Sequence, residues 1–144
     1  MTMVFVCVCS YAQQGLRINE LFEGRIIPPE RMVETRVRGK TLAKYQLSYY
    51  RSLRFTASED EAERVRIIVE EDGKDRPSSA LAKTQGKQNS DTYKVQVGKV
   101  GDRNCYLCYQ AQWKGSKAER TVTVIYMEGS INSLQKLEEV LRSE

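Results

Sequence analysis

Along residues 45–56, mainly apolar or aromatic side chains at the odd positions alternate with mainly polar side chains at the even positions. Side chains on a β-strand point alternately to opposite faces, so this segment is predicted to be a strand with one buried and one solvated face, with a helix as the alternative. The odd positions, expected to face the core, are Tyr45, Leu47, Tyr49, Arg51, Leu53 and Phe55. Because an unpaired buried charge is very costly, Arg51 should have a carboxylate partner or an outward path.

A helical pattern follows directly. Ser58 and Glu61 have the spacing of a capping box, in which each side chain bonds the backbone amide of the other residue. Apolar residues then recur at three- and four-residue spacing, at Ala62, Val65, Ile68 and Val69, and Gly73 is predicted to end the helix. A last helix is predicted with Ser130 as its cap and with Ile131, Leu134, Leu137 and Leu141 on one face.

Four further segments alternate as strands do: residues 33–37, 93–97, 105–113 and 121–127. Short turns connect the last three, which predicts an antiparallel meander. A long polar connection, residues 73–91, precedes them, and its length indicates mobility, a binding role or a short helix around residues 79–84. Together with a helical turn near residue 19, this order predicts an α+β fold. It is a mainly antiparallel sheet of about five strands with two amphipathic helices packed on one face.

The start of the chain has the pattern of an export signal. Residues 1–9 carry no charge, and the boundary Ser10-Tyr11-Ala12 before polar Gln13 is typical of a signal peptidase site. Residues 1–12 are therefore predicted to be a signal peptide, and residues 13–144 a single α+β domain. No basic segment precedes the apolar run, which suggests an amino-terminally truncated start. The alternative is a buried first strand over residues 4–8.

Charge and composition exclude several classes of function. The 23 basic and 19 acidic residues are mixed along the chain, and a net charge of +4 in that arrangement favours solubility over nucleic-acid binding. No segment after the amino terminus is apolar enough to cross a membrane. Histidine is absent, which removes the commonest general base and metal ligand. An enzyme built from this chain would rely on carboxylates, Lys, Tyr or Cys.

Cys105 and Cys108 form the one short motif associated with specific chemistry. In redox enzymes such a pair lies at a helix start, whereas here it lies within a predicted strand. Residues three apart on a strand point to opposite faces, with Cα atoms too far apart for an undistorted disulfide. The alternatives are structural thiols, a disulfide across a bulge, and a redox or metal site. Zinc would need two further ligands, which the exported chain lacks as Cys or His.

Tyr50 and Arg54, on the solvated face of the strand over residues 45–56, are the candidate binding residues, because Tyr and Arg are favoured at interfaces. The alternative is that this strand supplies core on one face and ordinary surface on the other. Arg51, on the core-facing register, is a weaker candidate. No residue is predicted to be catalytic, to bind a cofactor or to bind a metal.

Four short segments carry a resemblance to known proteins: Tyr11-Ala12-Gln13-Gln14, residues 16–22, Gly39-Lys40 with Leu42, and Tyr50-Arg51-Ser52-Leu53. With these segments, the chain resembles a class of small exported proteins of unknown function from Gram-negative gut bacteria. The resemblance runs over most of the chain after the signal segment. It implies export to the periplasm or cell envelope and an α+β fold, and it implies no catalytic or ligand residue.

The sequence favours a non-catalytic exported envelope protein that binds a protein or small-molecule partner. One alternative is an envelope enzyme that uses carboxylates or Tyr on glycan or cell-wall substrates. Another is a thiol-redox accessory protein that uses Cys105 and Cys108. Neither a cofactor nor a nucleic-acid partner is predicted.

Overall fold

The computed structural model describes residues 15–74, 81–84, 90–114 and 119–142. Its centre is an antiparallel sheet of six strands in the order β1-β2-β6-β5-β4-β3. The strands are β1 (Met32–Arg38), β2 (Leu47–Ala57), β3 (Leu81–Thr84), β4 (Ser90–Val100), β5 (Arg103–Gln112) and β6 (Arg120–Gly129). The helices are α1 (Asn19–Phe22), α2 (Glu59–Lys74) and α3 (Leu134–Arg142), with short 3-10 helices at Pro29–Arg31 and Lys40–Tyr45.

Periodicity predicted most of these elements. The structure confirms the antiparallel meander of β4, β5 and β6, and the strand nature of β1 and β2. The short helix expected around residues 79–84 is wrong, because residues 81–84 form β3, an edge strand paired with β4. This pairing raises the strand number to six. Residues 1–12, the predicted signal peptide, lie outside the described residues.

Helix α2 covers one face of the sheet, named here the α2 face. Its apolar stripe of Ala62, Val65 and Val69 packs on the side chains that the strands point toward it. Those side chains are Tyr49, Leu53, Phe55, Ala57, Tyr93, Val95, Val97, Cys105, Leu107, Tyr109, Ala111, Val122, Val124 and Tyr126. The segment 16–27 adds apolar side chains to this core, which is the larger of the two.

The segment 16–27 is fastened to the sheet and helix by two charged side chains. The Asp72 carboxylate, near the end of α2, accepts hydrogen bonds from the backbone amides of Arg17 and Ile18 at 2.8 and 2.9 Å. The Arg51 guanidinium donates to the Phe22 carbonyl at 3.4 Å and lies 4.7 Å from the centre of the Phe22 ring. The segment is therefore held at its beginning and in its middle.

Helix α3 covers the opposite face, named here the α3 face. Leu134 and Leu137 pack with Ile131 on the second core, which contains Leu42, Leu47, Tyr106, Cys108 and Met127. The prediction that two helices pack on one face is therefore wrong. The physical reason lies in β5, whose residues 105–109 are all buried, because a strand that is apolar on both faces needs cover on both.

Two details of the helix ends differ from the sequence predictions. Helix α2 continues through Gly73, where a Cβ would lie 2.6 Å from the Tyr93 hydroxyl, so this glycine permits close packing and does not end the helix. The cap of α3 is Ser133, whose Oγ accepts a hydrogen bond from the Lys136 amide at 3.1 Å. Ser130 is not the cap, because the following amide of Ile131 is bonded to the Gln46 carbonyl at 3.2 Å.

Gly129 is required where β6 passes the start of β2. A Cβ at this position would overlap the Gln46 carbonyl and lie 2.7 Å from the Leu47 Cα. Gln46 itself has a positive φ of 59°, and a bulge follows between Leu47 and Tyr49. This local turn moves Leu47 into the second core, although the rest of the inward set of β2 faces α2.

We expect Val65→Asp to unfold the domain, because Val65 is fully buried under α2. Truncating such a residue costs about 2–5 kcal/mol, a buried unpaired charge costs more, and a whole domain has only about 5–15 kcal/mol. The matched control is Ile67→Asp on the exposed side of the same helix, which should melt close to the parent. Circular dichroism melts compare the two, and equal melting temperatures for Val65→Asp and the parent would contradict the packing of α2.

The capping box of α2 predicts an acid sensitivity. Glu61 accepts the Ser58 amide at 3.0 Å, Ser58 Oγ accepts the Glu61 amide at 3.2 Å, and Arg31 donates two bonds of 3.0 Å to the Glu61 carboxylate. The bond from Arg31, and then that from the Ser58 amide, lower the pKa of Glu61 from 4.5 to about 2. A depressed folded-state pKa stabilises the fold above the unfolded value, and this stability is lost as the pH falls from 4.5 toward 2.

Glu61→Gln should therefore reduce stability at neutral pH and flatten its dependence on pH in this window. Urea unfolding at pH 7 and at several pH values between 2 and 5 measures both effects. Asp60→Asn, in the same first turn of α2, is the control and should keep the slope of the parent. If Glu61→Gln and the parent lose stability in parallel over this range, the carboxylate does not stabilise the fold through its charge.

Candidate functional site

Helix α3 covers only part of its face of the sheet. Beyond the area that α3 covers, further residues of β1, β2, β6, β5 and β4 point to the same face. They belong to neither apolar core. We name them the open patch: Val33, Thr35, Ser52, Arg54, Thr56, Ser90, Thr92, Gln110, Gln112, Thr121 and Thr123. All are partly or fully exposed.

Strand register arranges the open patch in rows across the sheet. One row runs through directly opposed residues of five strands: Val33, Arg54, Thr123, Gln110 and Thr92. The next row runs through Thr56, Thr121, Gln112 and Ser90. With neighbouring strands about 4.8 Å apart, each row spans on the order of 15–20 Å. Most side chains in these rows carry hydroxyl or amide groups.

Arg54 is the only charged residue of the open patch. Its directly opposed neighbours are Val33 on β1 and Thr123 on β6. The Arg54 side chain is exposed and makes no ion pair with the residues that the structure describes. Val33 beside it is 68% exposed, the highest value among the large apolar residues in the described part of the chain. A cation and an apolar side chain thus stand together on an otherwise neutral polar surface.

Tyr50 lies at the boundary between the open patch and α3. It is half-buried and packs against the second core with Val37 and Ile125, so it contributes to folding as well as to surface. Farther along the boundary, Lys94 on β4 binds Glu138 of α3, with 3.3 Å between Nζ and Oε1. This ion pair lies at the edge of the area of the sheet that α3 covers.

Arg51, the misfit of the alternating pattern, is a structural residue. It is buried on the α2 face, and its Nε donates to Glu34 Oε1 at 2.5 Å. The expected carboxylate partner is therefore present, on the neighbouring strand β1. Burial is the largest single influence on the pKa of Glu34 and raises it, but the hydrogen bonds and positive charges of Arg51 and Arg36 together outweigh burial and lower the net pKa. The opposite charges of Arg51 and Glu34 therefore contribute to the packing of β2 against β1.

A second buried carboxylate, Glu128, was missed by the sequence reasoning. It is 1% exposed, accepts the Tyr126 hydroxyl at 2.7 Å, and lies 3.6 Å from Arg103. Tyr49, its directly opposed residue on β2, has a buried hydroxyl without a hydrogen-bond partner in the described structure. The signal was available, because Glu128 continues the alternating series of Val122, Val124 and Tyr126 on β6.

Cys105 and Cys108 are buried thiols that form no disulfide in the described structure, and they lie on opposite faces of β5. Cys105 belongs to the core under α2, and Cys108 belongs to the core under α3. Burial raises the pKa of Cys108 to about 12, so its nucleophilic thiolate is absent at neutral pH. Both thiols act as small apolar packing residues in this arrangement.

Acidic groups converge at a shallow cleft between the start of α2 and the sheet. The cleft has a volume of about 270 Å³ and is lined by Glu59, Ala62, Glu63, Asp91, Tyr109, Ala111, Trp113 and Arg120. Burial, and then the charge of Asp91, raise the pKa of Tyr109, whose hydroxyl donates to the Ala62 carbonyl at 3.1 Å. Arg120 lies 4.2 Å above the Trp113 ring and 3.8 Å from Glu59. The Tyr109–Ala62 and Arg120–Glu59 contacts attach α2 to the sheet.

The described residues contain no group of three or more His, Cys, Asp or Glu placed to hold a metal ion. None of the described helices combines the length and apolar character needed to span a bilayer.

Comparison with known proteins gives one family. Residues 5–141 match the sequence model described as a family of unknown function (DUF6108). No curated protein and no solved structure matches significantly.

We expect Cys105 and Cys108 to be unreactive in the folded protein, because both are buried and the Cys108 thiolate is disfavoured. Thiol titration with a disulfide reagent, in a chain with Cys7→Ser and Cys9→Ser, should count no reactive thiol before denaturation and two per chain afterwards. The control is Gln110→Cys in the same chain, which adds an exposed thiol that should react at once. No reactive thiol at Cys105 and Cys108 after denaturation, with a monomer on a non-reducing gel, would reveal a disulfide and overturn this arrangement.

Proposed function

The chain belongs to this family of unknown function (DUF6108), and we propose that it is a non-catalytic binding protein of the cell envelope. Its partner occupies the open patch of the α3 face. The observation that carries the proposal is the size and composition of this surface, which spans five strands and lies outside both cores.

The chemistry of the open patch supports a polar partner. Its Thr, Ser and Gln side chains offer donors and acceptors at regular spacing, which suits hydrogen bonding to an extended polar surface. No Asp or Glu lies in the patch, and Arg54 presents an exposed guanidinium on β2, next to the edge strand β1. A guanidinium fork binds carboxylates in a bidentate way. We infer a protein partner with an acidic side chain opposite Arg54.

The two alternative functions receive less support from the described residues. A thiol-redox role needs a reactive, accessible thiolate, whereas Cys105 and Cys108 are buried on opposite faces. An enzyme that uses Tyr109 would need its hydroxyl to reach a substrate, whereas this hydroxyl is bonded to the Ala62 carbonyl. Of the carboxylates that line the cleft beside it, Glu59 and Glu63 lie at the start of α2 and Asp91 lies on β4.

The location in the envelope rests on the amino-terminal sequence. We propose that the protein is exported and that residues 1–12 are removed, which leaves Gln13 as the first residue. Mass spectrometry of the protein isolated from the native envelope tests this proposal. A protein that retains residues 1–12 would mean that the apolar run is part of the mature chain.

A photo-crosslinking amino acid placed at Gln110 in native cells tests whether a partner binds the open patch. The same amino acid at Ile67, on the exposed side of α2, is the control. We expect a discrete protein adduct from position 110 alone, and we expect Arg54→Glu to reduce its yield by about tenfold, because a reversed charge at an interface weakens binding by this order. Arg64→Glu, on α2, should leave the yield unchanged.

The variants must first melt like the parent, so that a lost adduct reports binding and not folding. Equal adducts from positions 110 and 67, or an adduct that survives Arg54→Glu, would show that the open patch is not the binding surface.

A further inference from the structure

Strand β1 forms one edge of the sheet and pairs with β2 alone. Four consecutive residues at its centre, 33–36, are exposed. An edge strand carries backbone N–H and C=O groups that point away from the sheet and that can pair with another strand. The side chains of β1 determine which strand can pair with these groups.

Two copies of an antiparallel strand pair about a twofold axis perpendicular to the sheet. Directly opposed residues then point to the same face, so the axis must pass beside one residue of the strand and not between two. The choice of the residue beside the axis determines which residues of the two copies face each other along the whole strand. The seven residues of β1 therefore allow only a few registers, which differ in the charges that they oppose.

We propose that β1 pairs with β1 of a second copy, with Thr35 on the twofold axis. Thr35 is the middle residue of Met32–Arg38, so every residue of the strand finds a partner in this register. Val33 of each copy faces Val37 of the other, and Glu34 of each copy faces Arg36 of the other. Apolar and oppositely charged pairs of this kind stabilise antiparallel strands.

The neighbouring registers bring like charges together. An axis at Glu34 would oppose the two Glu34 carboxylates, and an axis at Arg36 would oppose the two Arg36 guanidinium groups. Like charges directly opposite each other destabilise a strand pair. Both registers would also leave the strand ends unpaired. The register at Thr35 thus combines complete overlap with two favourable charge pairs.

The exposure of Val33 agrees with this pairing. Val33 is 68% exposed in the single chain, and a neighbouring Val37 would cover part of it. Edge strands that must stay free are commonly protected by charge or Pro. Within one chain Arg36 already donates to Glu34, with 3.2 Å between Nε and Oε1, and in this register each of the two residues also faces the opposite charge of the other copy. These charges therefore select a register without preventing pairing.

The dimer would join the open patches of both copies. Because the twofold axis is perpendicular to the sheet, the α3 faces of the two copies lie on the same side. Val33 and Thr35 of each copy then sit at the junction, and the rows of polar side chains continue from one copy into the next. The surface available to a polar partner would roughly double in width.

Thr35→Cys tests the register directly. At the axis, the two Cα atoms would be about 4.5–5.5 Å apart, which suits a disulfide. The variant is made in the full chain with Cys7→Ser and Cys9→Ser, and mild oxidation is followed on a non-reducing gel. The matched control is Val33→Cys on the same exposed strand. In this register the two cysteines at position 33 would lie on opposite sides of the axis, several residues apart.

We expect at least about tenfold more covalent dimer from Thr35→Cys than from Val33→Cys, by the entropic advantage of a preformed contact. An equal mixture of Val33→Cys and Val37→Cys should cross-link as a heterodimer, because these residues face each other. Equal yields from Thr35→Cys and Val33→Cys would overturn the proposal.

Sedimentation equilibrium provides an independent test on the chain without added cysteines. We expect a monomer–dimer equilibrium that Arg36→Glu weakens by about tenfold, because this change opposes Glu34 with a second carboxylate twice in the dimer. Arg64→Glu, with the same change of charge on α2, should dimerise like the parent. A protein that is monomeric at all concentrations, or one that dimerises equally after Arg36→Glu, would exclude pairing through β1.

Discussion

The pairing of β2 with β6 is the interaction on which the rest of the structure depends. It joins the amino-terminal hairpin of β1 and β2 to the meander of β4, β5 and β6. The side-chain period of a strand is two, so a shift of one residue here would turn every inward side chain of β2 outward. Because β6 contributes Tyr126 to one core and Met127 to the other, both layers depend on this single register.

Buried charges on β2 and β6 fix the parts of the structure that adjoin this strand pair. Arg51 on β2 needs Glu34 on β1 and the Phe22 carbonyl, and Glu128 on β6 needs the Tyr126 hydroxyl. A hydrophobic contact tolerates small shifts, whereas a buried charge deprived of its partner costs several kcal/mol, on the order of 3–5. The charged groups at this end of the sheet therefore hold the strands and the segment 16–27 in one arrangement.

Local periodicity predicted the elements well because their burial is determined by neighbours along the chain. The alternation of residues 45–56 predicted β2, although the strand begins at Leu47, and it predicted a carboxylate partner or an outward path for Arg51, of which the structure has the carboxylate. The Ser58–Glu61 spacing predicted the start of α2. The relative placement of the helices depends on contacts between distant segments. The apolar run of residues 105–109 signalled a strand buried on both faces, which is inconsistent with two helices on one face.

The candidate site was predictable only in part for the same reason. Arg54 could be assigned to the solvated face from its own strand, but its neighbours Val33, Thr123 and Gln110 come from three other strands. Their assembly into one surface depends on register across the sheet, which the sequence of each strand does not contain. Tyr50 was placed correctly on the even-numbered face, and only the position of α3 shows that it is half-buried.

The central position of the β2 and β6 pair also affects how the chain reaches its fold. These two strands come from opposite halves of the sequence, and contacts of large sequence separation slow folding because a long loop must close first. The meander of β4, β5 and β6 is local and should form earlier, with α2 and the amino-terminal hairpin docking afterwards. Until β2 arrives, β6 is an unpaired edge that exposes apolar side chains on both faces. The slowest step of folding is thus also the period in which the chain is most prone to aggregate.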